Sequence, residues 1–216
     1  MKTTTRRKPG SLGIGEHYCV LVASLFAVGK RDEAAVLVEH GLEKDFIPER
    51  LFRELYLHLS LLLGFPSMLD GLSRLRDVSG HPSGVRPTAR ERDGDVVRRG
   101  NKTLRRIYGK ATDRLLANLA SLHEIVPSVV VRDAYGRIIS RRGMSLRERE
   151  IVNVVVLSIQ KLDRQLYSHL RGALRVGVPP RGLRQAINLG SRAARTSQDT
   201  ALKMLSSLLA AGRLRR

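Results

Sequence analysis

Apolar residues recur at helical spacing in two stretches of this chain. In the first stretch the pattern predicts helices over residues 16–28, 31–44, 48–63 and 68–75. Pro48 suits a first helical turn, where its missing N–H is not needed, and Gly64-Phe65-Pro66 should break the chain before the fourth helix. These helices form a first unit over residues 16–76, preceded by a basic, glycine-containing arm over residues 1–15.

The second stretch follows a segment rich in glycine, proline and charge. In this segment, residues 77–100, no apolar period survives, so we expect a linker between two units. Helical spacing returns at Asn101 and continues until Pro127, where the helix should end. The tetrapeptide Asp133-Ala-Tyr-Gly136 is predicted to form a turn. Residues 101–216 then make up the second unit.

A β-branched run in the second unit follows a helix-start signal. Ser145 and Glu148 have the spacing of a capping box, in which two backbone N–H groups are satisfied reciprocally. The run that follows, Ile151-Val-Asn-Val-Val-Val-Leu157, also fits a buried strand when taken alone. Its length beyond the cap favours a buried helix to about residue 160. Further helices are predicted over residues 163–176, from residue 179 onward and over 196–211, with Gly212 as the last cap.

The two units share a pattern. A shift of 131 positions aligns a helix–turn–helix–proline-helix unit in both without a gap. The aligned identities are Lys30 with Lys161, Asp32 with Asp163, Gly41 with Gly172 and Pro48 with Pro179. We therefore expect an all-α fold in which two related helical repeats pack as a pseudo-symmetric pair.

Composition restricts the partners. The formal net charge is +19, which attracts anions of every kind, but arginine is spread over the whole chain as a biased base composition would also produce. Aromatic residues make up 4% and tryptophan is absent, which argues against a stacking platform for single-stranded nucleic acid. No zinc-finger, RNP or basic-zipper pattern is present either, so a nucleic-acid partner is not favoured.

The single cysteine and the N-terminal residues bear on location. Because Cys19 stands alone, an intrachain disulfide and a CxxC redox centre are excluded, which fits a reducing cytoplasm, and a core position is expected for it. Arg6-Arg7 precede an apolar run as in a twin-arginine signal, but Glu16 and His17 interrupt the approach. In the sequence alone, no apolar stretch reaches the roughly 18 residues that a membrane span needs. We predict a cytoplasmic protein without a membrane partner.

Four positions in the second unit have the spacing of a known catalytic set. They are Glu150, Leu162, Gln165 and His169, within Leu146-Arg-Glu-Arg-Glu-Ile and Gln165-Leu-Tyr-Ser-His-Leu-Arg-Gly-Ala-Leu-Arg-Val-Gly177. Further matching pieces are Arg99-Gly100, Ile107-Tyr-Gly109, Asp133-Ala-Tyr-Gly-Arg137 and Gly64-Phe-Pro66. Together these pieces resemble the carboxymuconolactone decarboxylase and alkylhydroperoxidase D-like family, which keeps a glutamate, two cysteines and a histidine at the four positions.

The resemblance implies a tandem-repeat member that lacks the CxxC. Glu150 falls opposite Cys19 and His169 opposite Val38, so the first repeat is degenerate and the second carries the acid–imidazole pair. Single-repeat relatives assemble as oligomers, which implies a homotrimer of the fused chain. Peroxidase activity needs a thiolate nucleophile, and Leu162 and Gln165 cannot supply one.

What remains of the family's chemistry is the decarboxylase branch. The resemblance implies a thiol-independent carboxy-lyase of aromatic catabolism, acting on a small carboxylated lactone or a related unsaturated acid. His169 would deliver the proton and Glu150 would orient it, while Arg147, Arg171 and Arg175 would bind the carboxylate. No cofactor is expected, and the histidines lack metal-ligand spacing, so no metal is assigned.

Plainer interpretations stay open. His169 could be a satisfied core histidine, Glu150 could pair with Arg147 or Arg149 across a solvated face, and any of the arginines could face solvent. At the level of the whole protein, the alternatives are a family member that has lost catalysis and serves a structural or binding role, and a basic protein that binds anions or nucleic acid through its charge.

Overall fold

The computed structural model describes residues 10–80 and 91–213, and all regular elements in these ranges are helical. The helices are α1 (Ile14–Ala27), α2 (Arg31–Glu43), α3 (Glu49–Ser79), α4 (Asp93–Tyr108), α5 (Thr112–Ala120), α6 (Val126–Ser128), α7 (Leu146–Ile159), α8 (Asp163–Arg175), α9 (Pro180–Ala194) and α10 (Asp199–Arg213). A 3₁₀ turn (Gly109–Ala111) joins α4 to α5, and α6 continues directly into a π-helix (Val129–Ile139). The all-α prediction is confirmed for these residues.

Helices α1 and α7 lie at the centre. Helix α1 packs against α2, α3, α7 and α9, while α7 also packs against α8 and α9. One apolar cluster joins α1, α2 and α3 to Val152 and Val156 of α7, and another joins α7, α8, α9 and α10 to Leu12 and Val20. Each half of the chain therefore completes the core of the other.

The β-branched run forms a helix, as predicted. Ser145 caps α7: its side chain accepts from the N–H of Glu148, whose carboxylate accepts from the N–H of Ser145. Every residue from Arg149 to Leu157 is buried. The small helical penalty of β-branched side chains is outweighed because both faces of α7 bury apolar surface against neighbouring helices.

Several predicted boundaries are wrong. Gly64 breaks α3 as expected, with φ 82° and ψ 168°, but the helix then continues to Ser79. Helix α4 begins at Asp93, inside the predicted linker, of which residues 81–90 lie outside the described part of the chain. The helix expected from Asn101 to Pro127 ends at Tyr108 and resumes as α5. Gly212 lies inside α10 and does not cap it.

The predicted N-terminal arm is shorter than expected. Residues 1–9 lie outside the described part of the chain, but Leu12 is buried and its N–H donates to Oε1 of Gln185 at 3.1 Å. Helix α1 then begins at Ile14. An apolar side chain and a hydrogen bond to α9 therefore fix the residues just before α1.

The predicted turn at Asp133–Gly136 is also wrong, because these residues belong to the π-helix. This helix packs directly on α4. A Cβ atom at Gly100 would lie 2.0 Å from the carbonyl oxygen of Val131, and one at Gly136 would lie 2.5 Å from that of Val96. The two backbones thus touch at paired glycines, and this packing overrides the local turn propensity of the sequence.

Among the residues that the structure describes, one helix is apolar and long enough to cross a membrane, contrary to the sequence-based expectation. Helix α3 has 31 residues, and an 18-residue stretch of it has a mean hydropathy of 1.3. Of this stretch, 33% is buried inside the protein. It is bent at Gly64, and it carries Glu54 and His58 into the protein core. These buried polar contacts are typical of a core helix.

The contact between α4 and the π-helix gives a stability prediction. Replacing Gly100 by alanine should lower the free energy of unfolding by about 3 kcal/mol, because the new methyl group forces two backbones apart. The matched control is Gly94→Ala in the same helix, where a Cβ meets nothing within 4 Å and the change should be neutral or stabilising by about 0.5 kcal/mol. Urea unfolding measures both, and equal stabilities for the two variants would contradict the predicted contact.

Candidate functional site

The structure brings together the two residues that the sequence singled out for proton chemistry. Glu150 on α7 and His169 on α8 meet where these helices pack, and Nδ1 of His169 lies 3.0 Å from Oε2 of Glu150. The side chain of Glu150 is fully buried, while that of His169 is 16% exposed. Glu150 is therefore not on a solvated face, and His169 keeps access to its surroundings.

Asn153 fixes the orientation of this pair. Its amide nitrogen Nδ2 donates to Oε1 of Glu150 at 3.1 Å and lies 3.2 Å from Nδ1 of His169. An ionised carboxylate can only accept a hydrogen bond, so Nδ1 of His169 carries the proton and donates to Oε2 of Glu150. With Nδ1 donating, Nε2 of the neutral imidazole is the acceptor, and among the described residues it has no hydrogen-bond partner.

A glycine on α8 makes room for the carboxylate. A Cβ at Gly172 would lie 2.7 Å from Oε2 of Glu150 and 2.7 Å from Cγ2 of Ile107. The buried carboxylate thus rests against the backbone of α8, one turn from His169. Hydrogen bonds from Asn153 and His169 offset the cost of removing a carboxylate from water.

His58 connects the first half of the chain to this site. It lies on α3, is fully buried, and its Nε2 is 2.8 Å from Oδ1 of Asn153. Burial, together with the nearby Arg149, lowers the pKa of His58 to about 3. A neutral His58 therefore donates from Nε2 to Asn153, which in turn donates to Glu150.

Two tyrosines close the other side of the site. Tyr108 at the end of α4 and Tyr135 of the π-helix have their hydroxyl oxygens 2.9 Å apart, and the ring of Tyr108 meets that of His169 edge-on at 6.3 Å. Burial, with Glu150 nearby, raises the pKa of both tyrosines well above the ordinary value. Both phenols therefore stay protonated and serve as hydrogen-bond donors.

A small cavity of about 190 Å³ opens beside Tyr108. It lies between α4, α5 and α8, and its lining includes Tyr108, Ser168 and three arginines: Arg114, Arg171 and Arg175. Glu150 and His169 do not line it, and His169 adjoins it through its neighbour Ser168 and its ring contact with Tyr108. Arg171 and Arg175 were predicted from the sequence. None of the three has an ion-pair partner among the described residues, although Arg171 lies over the ring of Tyr167 at 5.9 Å. The cavity wall is therefore positively charged and not neutralised by acids.

The third predicted arginine is elsewhere. Arg147 forms an ion pair with Glu16 of α1 and donates from Nη1 to the carbonyl oxygen of Gly177 at 2.9 Å. It does not line the cavity beside Tyr108. Its role in the structure is to tie the start of α7 to α1, so the structure does not join it to the other predicted site residues.

The positions that hold thiols in the family have no reactive group here. Leu162 and Gln165 are exposed at the start of α8. Cys19, the only thiol, is fully buried in α1, as predicted, and burial with the nearby carboxylate of Glu148 raises its pKa far above the ordinary value. A thiol kept protonated in this way is a poor nucleophile.

A second buried charge stands next to Glu150 on α7. The side chain of Arg149 is fully buried, and its Nη2 donates to Oε2 of Glu54 at 3.0 Å, while Arg141 contacts the same carboxylate from the protein surface at 2.9 Å. Desolvation lowers the pKa of Arg149, and the hydrogen bond to Glu54 opposes this shift. The consecutive charges of α7 therefore project to opposite sides, one to α3 and one to α8.

Sequence reasoning missed six of these residues: His58, Tyr108, Tyr135, Asn153, Gly172 as a contact, and Arg114. Asn153 did carry a signal, because it is the one polar residue inside the run from Ile151 to Leu157. A buried amide in such a run needs partners, which points to a polar network. His58 gave a weaker signal of the same kind, between Leu57 and Leu59.

Comparison with known proteins gives one informative similarity. No protein-family model matches the chain. The sequence is 26% identical over 193 residues to a protein named Peroxisomal protein 2 from Schizosaccharomyces pombe, and the alignment covers 87% of this chain and 89% of that protein. The two proteins are therefore similar over most of their lengths.

This similarity overturns two expectations. The resemblance to decarboxylases implied a carboxy-lyase that acts on a lactone or unsaturated acid. The similar protein is not named as a decarboxylase, and this comparison contradicts the predicted decarboxylation. The cytoplasmic location is contradicted by the same comparison, which points to the peroxisome. A lone buried cysteine fits a reducing compartment but does not identify one.

The buried His58 gives a pH prediction. Its pKa is about 3 in the fold and near 6.5 when unfolded, so the unfolded chain binds the extra proton as the pH falls below 6.5. Stability should therefore be full above pH 6.5 and fall by about 2 kcal/mol between pH 6.5 and 5 on account of this group alone.

The His58→Gln variant, which keeps a donor for Asn153, should lose that part of the pH dependence. Its free energy of unfolding is measured in urea at pH 7.5 and pH 5 beside the unchanged protein. His123→Gln is the matched control, because His123 is exposed on the loop after α5. Equal pH slopes for the unchanged protein and His58→Gln would show that His58 is not buried in its neutral form.

Proposed function

We propose that Glu150 and His169 form a general acid–base site that moves a proton to or from a small anion bound beside Tyr108. The observation that carries the proposal is the buried carboxylate 3.0 Å from Nδ1 of a partly exposed imidazole. This arrangement leaves Nε2 as the proton-exchanging atom. A buried acid behind a histidine is a common means of orienting an imidazole for proton transfer.

Each group has a defined part in the transfer. When Nε2 of His169 takes a proton, the ring becomes a cation, and the carboxylate of Glu150 stabilises it across the 3.0 Å contact. Asn153 and the neutral His58 hold Glu150 in place through hydrogen bonds of 3.1 and 2.8 Å in series. The carboxylate does not need to move or to change its own proton for His169 to work.

The cavity supports an anionic ligand. Arg114, Arg171 and Arg175 line it without acid partners among the described residues, and Tyr108 adds a protonated phenol beside His169. Guanidinium groups bind oxyanions through paired N–H donors. The proposed ligand is a small organic anion with an acidic C–H or O–H, and no lactone or unsaturated acid is implied.

Deuterium exchange tests the acid–base site. The protein is incubated in D₂O with a panel of small oxo acids, beginning with pyruvate and 3-oxobutanoate, and loss of the C–H signal is followed by proton NMR. We expect exchange with a panel member to slow about 100-fold or more in His169→Gln, because a positioned acid–base group contributes roughly that factor.

Two further variants sharpen the test. Glu150→Gln should slow exchange less than His169→Gln, because it removes the stabilising charge but keeps the imidazole. His123 is exposed and has no contact with the site, so the His123→Gln variant should catalyse deuterium exchange at the unchanged rate. Exchange that survives in His169→Gln, or no exchange with any panel member, would overturn the proposed site.

We also propose a peroxisomal location, supported by the similarity to Peroxisomal protein 2. The full chain fused to a fluorescent protein, at the N-terminus in one version and at the C-terminus in another, should co-localise with a peroxisomal marker in at least one of the two. The fluorescent protein alone is the control. Diffuse fluorescence of both fusions would argue against this location, whatever the outcome of the exchange experiment.

The proposed architecture is the tandem repeat of the alkylhydroperoxidase D-like family. Helices α1 and α7 each have 14 residues, α2 and α8 each have 13, and α3 and α9 both follow a proline N-cap. The shift of 131 positions aligns Glu16 with Arg147, and these two side chains form an ion pair with each other. Equivalent residues of two repeats contact each other in this way near a pseudo-twofold axis. The homotrimer implied by the resemblance stays a prediction.

A further inference from the structure

A second cavity, on a different side of the protein, is lined mainly by arginines. It has a volume of about 500 Å³ and lies between the start of α3, the start of α4 and the end of the π-helix. Its lining residues are Arg50, Glu91, Arg99, Arg137, Ser140, Arg141 and Arg142. It shares no lining residue with the cavity beside Tyr108, so the acid–base site does not account for it.

Some of these arginines have acidic partners at the surface. Arg99 pairs with Glu91 at 2.8 Å, and Arg137 pairs with Asp93 at 3.1 Å and with Asp133 at 3.3 Å. All of these side chains are well exposed. Exposed pairs of this kind contribute about 0–1 kcal/mol, so a bound anion can replace any of these acids at little cost.

Other arginines in the same wall have no acidic partner. Neither Arg50 nor Arg142 forms an ion pair with any of the described residues. Arg141 does form one, with Glu54, but Arg149 shares the same carboxylate, so these three side chains carry one positive charge in excess. The cavity therefore concentrates positive charge that the protein itself does not neutralise.

The backbone holds one of the unpaired arginines in place. Gly143 has φ +105°, and a Cβ built on it would lie 2.6 Å from Nε of Arg50 and 3.0 Å from Cγ of Glu54. Any other residue at this position would be strained and would push Arg50 away. The guanidinium of Arg50 thus rests against the loop that carries Arg141 and Arg142.

We propose that this cavity binds the diphosphate or polyphosphate group of a small molecule. Its wall has guanidinium groups on three elements, and these groups bind phosphate oxygens through paired N–H donors. A ligand with several charges is favoured over a single carboxylate because five arginines converge on one concave space. The described lining contains no aromatic side chain, so the phosphates and not a stacked base carry the recognition.

Calorimetric titration with inorganic pyrophosphate, at physiological ionic strength, tests this assignment. The unchanged protein should bind pyrophosphate at least about tenfold more tightly than inorganic phosphate, because more arginines are engaged at once. The double variant Arg50→Ala/Arg142→Ala should weaken pyrophosphate binding about tenfold or more. Both side chains are exposed, so folding, checked by circular dichroism, should be unaffected.

The matched control removes the same charge elsewhere. Arg106 and Arg164 are exposed, lie outside this cavity and have no ion pair among the described residues. The double variant Arg106→Ala/Arg164→Ala should bind pyrophosphate as the unchanged protein does. Gly143→Ala gives a second measurement: it leaves the net charge unaltered but should weaken binding by displacing Arg50.

Three results would overturn the proposal. One is equal affinity of the unchanged protein and Arg50→Ala/Arg142→Ala for pyrophosphate. Another is equal weakening by the two double variants, which would indicate a diffuse effect of net charge. The third is displacement of pyrophosphate by a single-stranded oligonucleotide that binds the double variant Arg50→Ala/Arg142→Ala as tightly as the unchanged protein. A nucleic-acid surface would then explain the binding. None of these results bears on His169.

Discussion

A carboxylate without contact to water is the constraint on which this structure depends. Glu150 is fully buried in the central helix α7, and its two oxygens must find donors inside the protein. Asn153 and His169 supply them, and Gly172 gives the space. Each of these neighbours is fixed by the need to satisfy or to accommodate this one acid.

Arg149, the residue before Glu150, carries a buried charge of the opposite sign. Arg149 places a guanidinium in the core, and Glu54 of α3 reaches it with a carboxylate that also faces Arg141. Breaking either buried pair would leave an uncompensated charge, which is far more costly than the pair is stabilising. Consecutive charges on one helix thus contact α3 on one side and α8 on the other, which explains why Arg149 and Glu150 occur in the buried part of α7.

The sequence was sufficient for features that rest on local chemistry. The capping box at Ser145 and the buried helix after it follow from spacing along the chain, while the expectation that Glu150 meets His169 came from the family resemblance. Features that rest on distant contacts were missed. The π-helix replaces a predicted turn because Gly100 brings α4 against it, and His58 reaches Asn153 from 95 residues away. Local sequence patterns carry no information on contacts between residues so far apart along the chain.

The hydrogen bond between His58 and Asn153 has a consequence for fragments of the protein. The second half of the polypeptide carries the imidazole of His169 and the carboxylate of Glu150, while the first half supplies the neutral ring that donates to Asn153. Neither half expressed alone would therefore contain the complete network of hydrogen bonds.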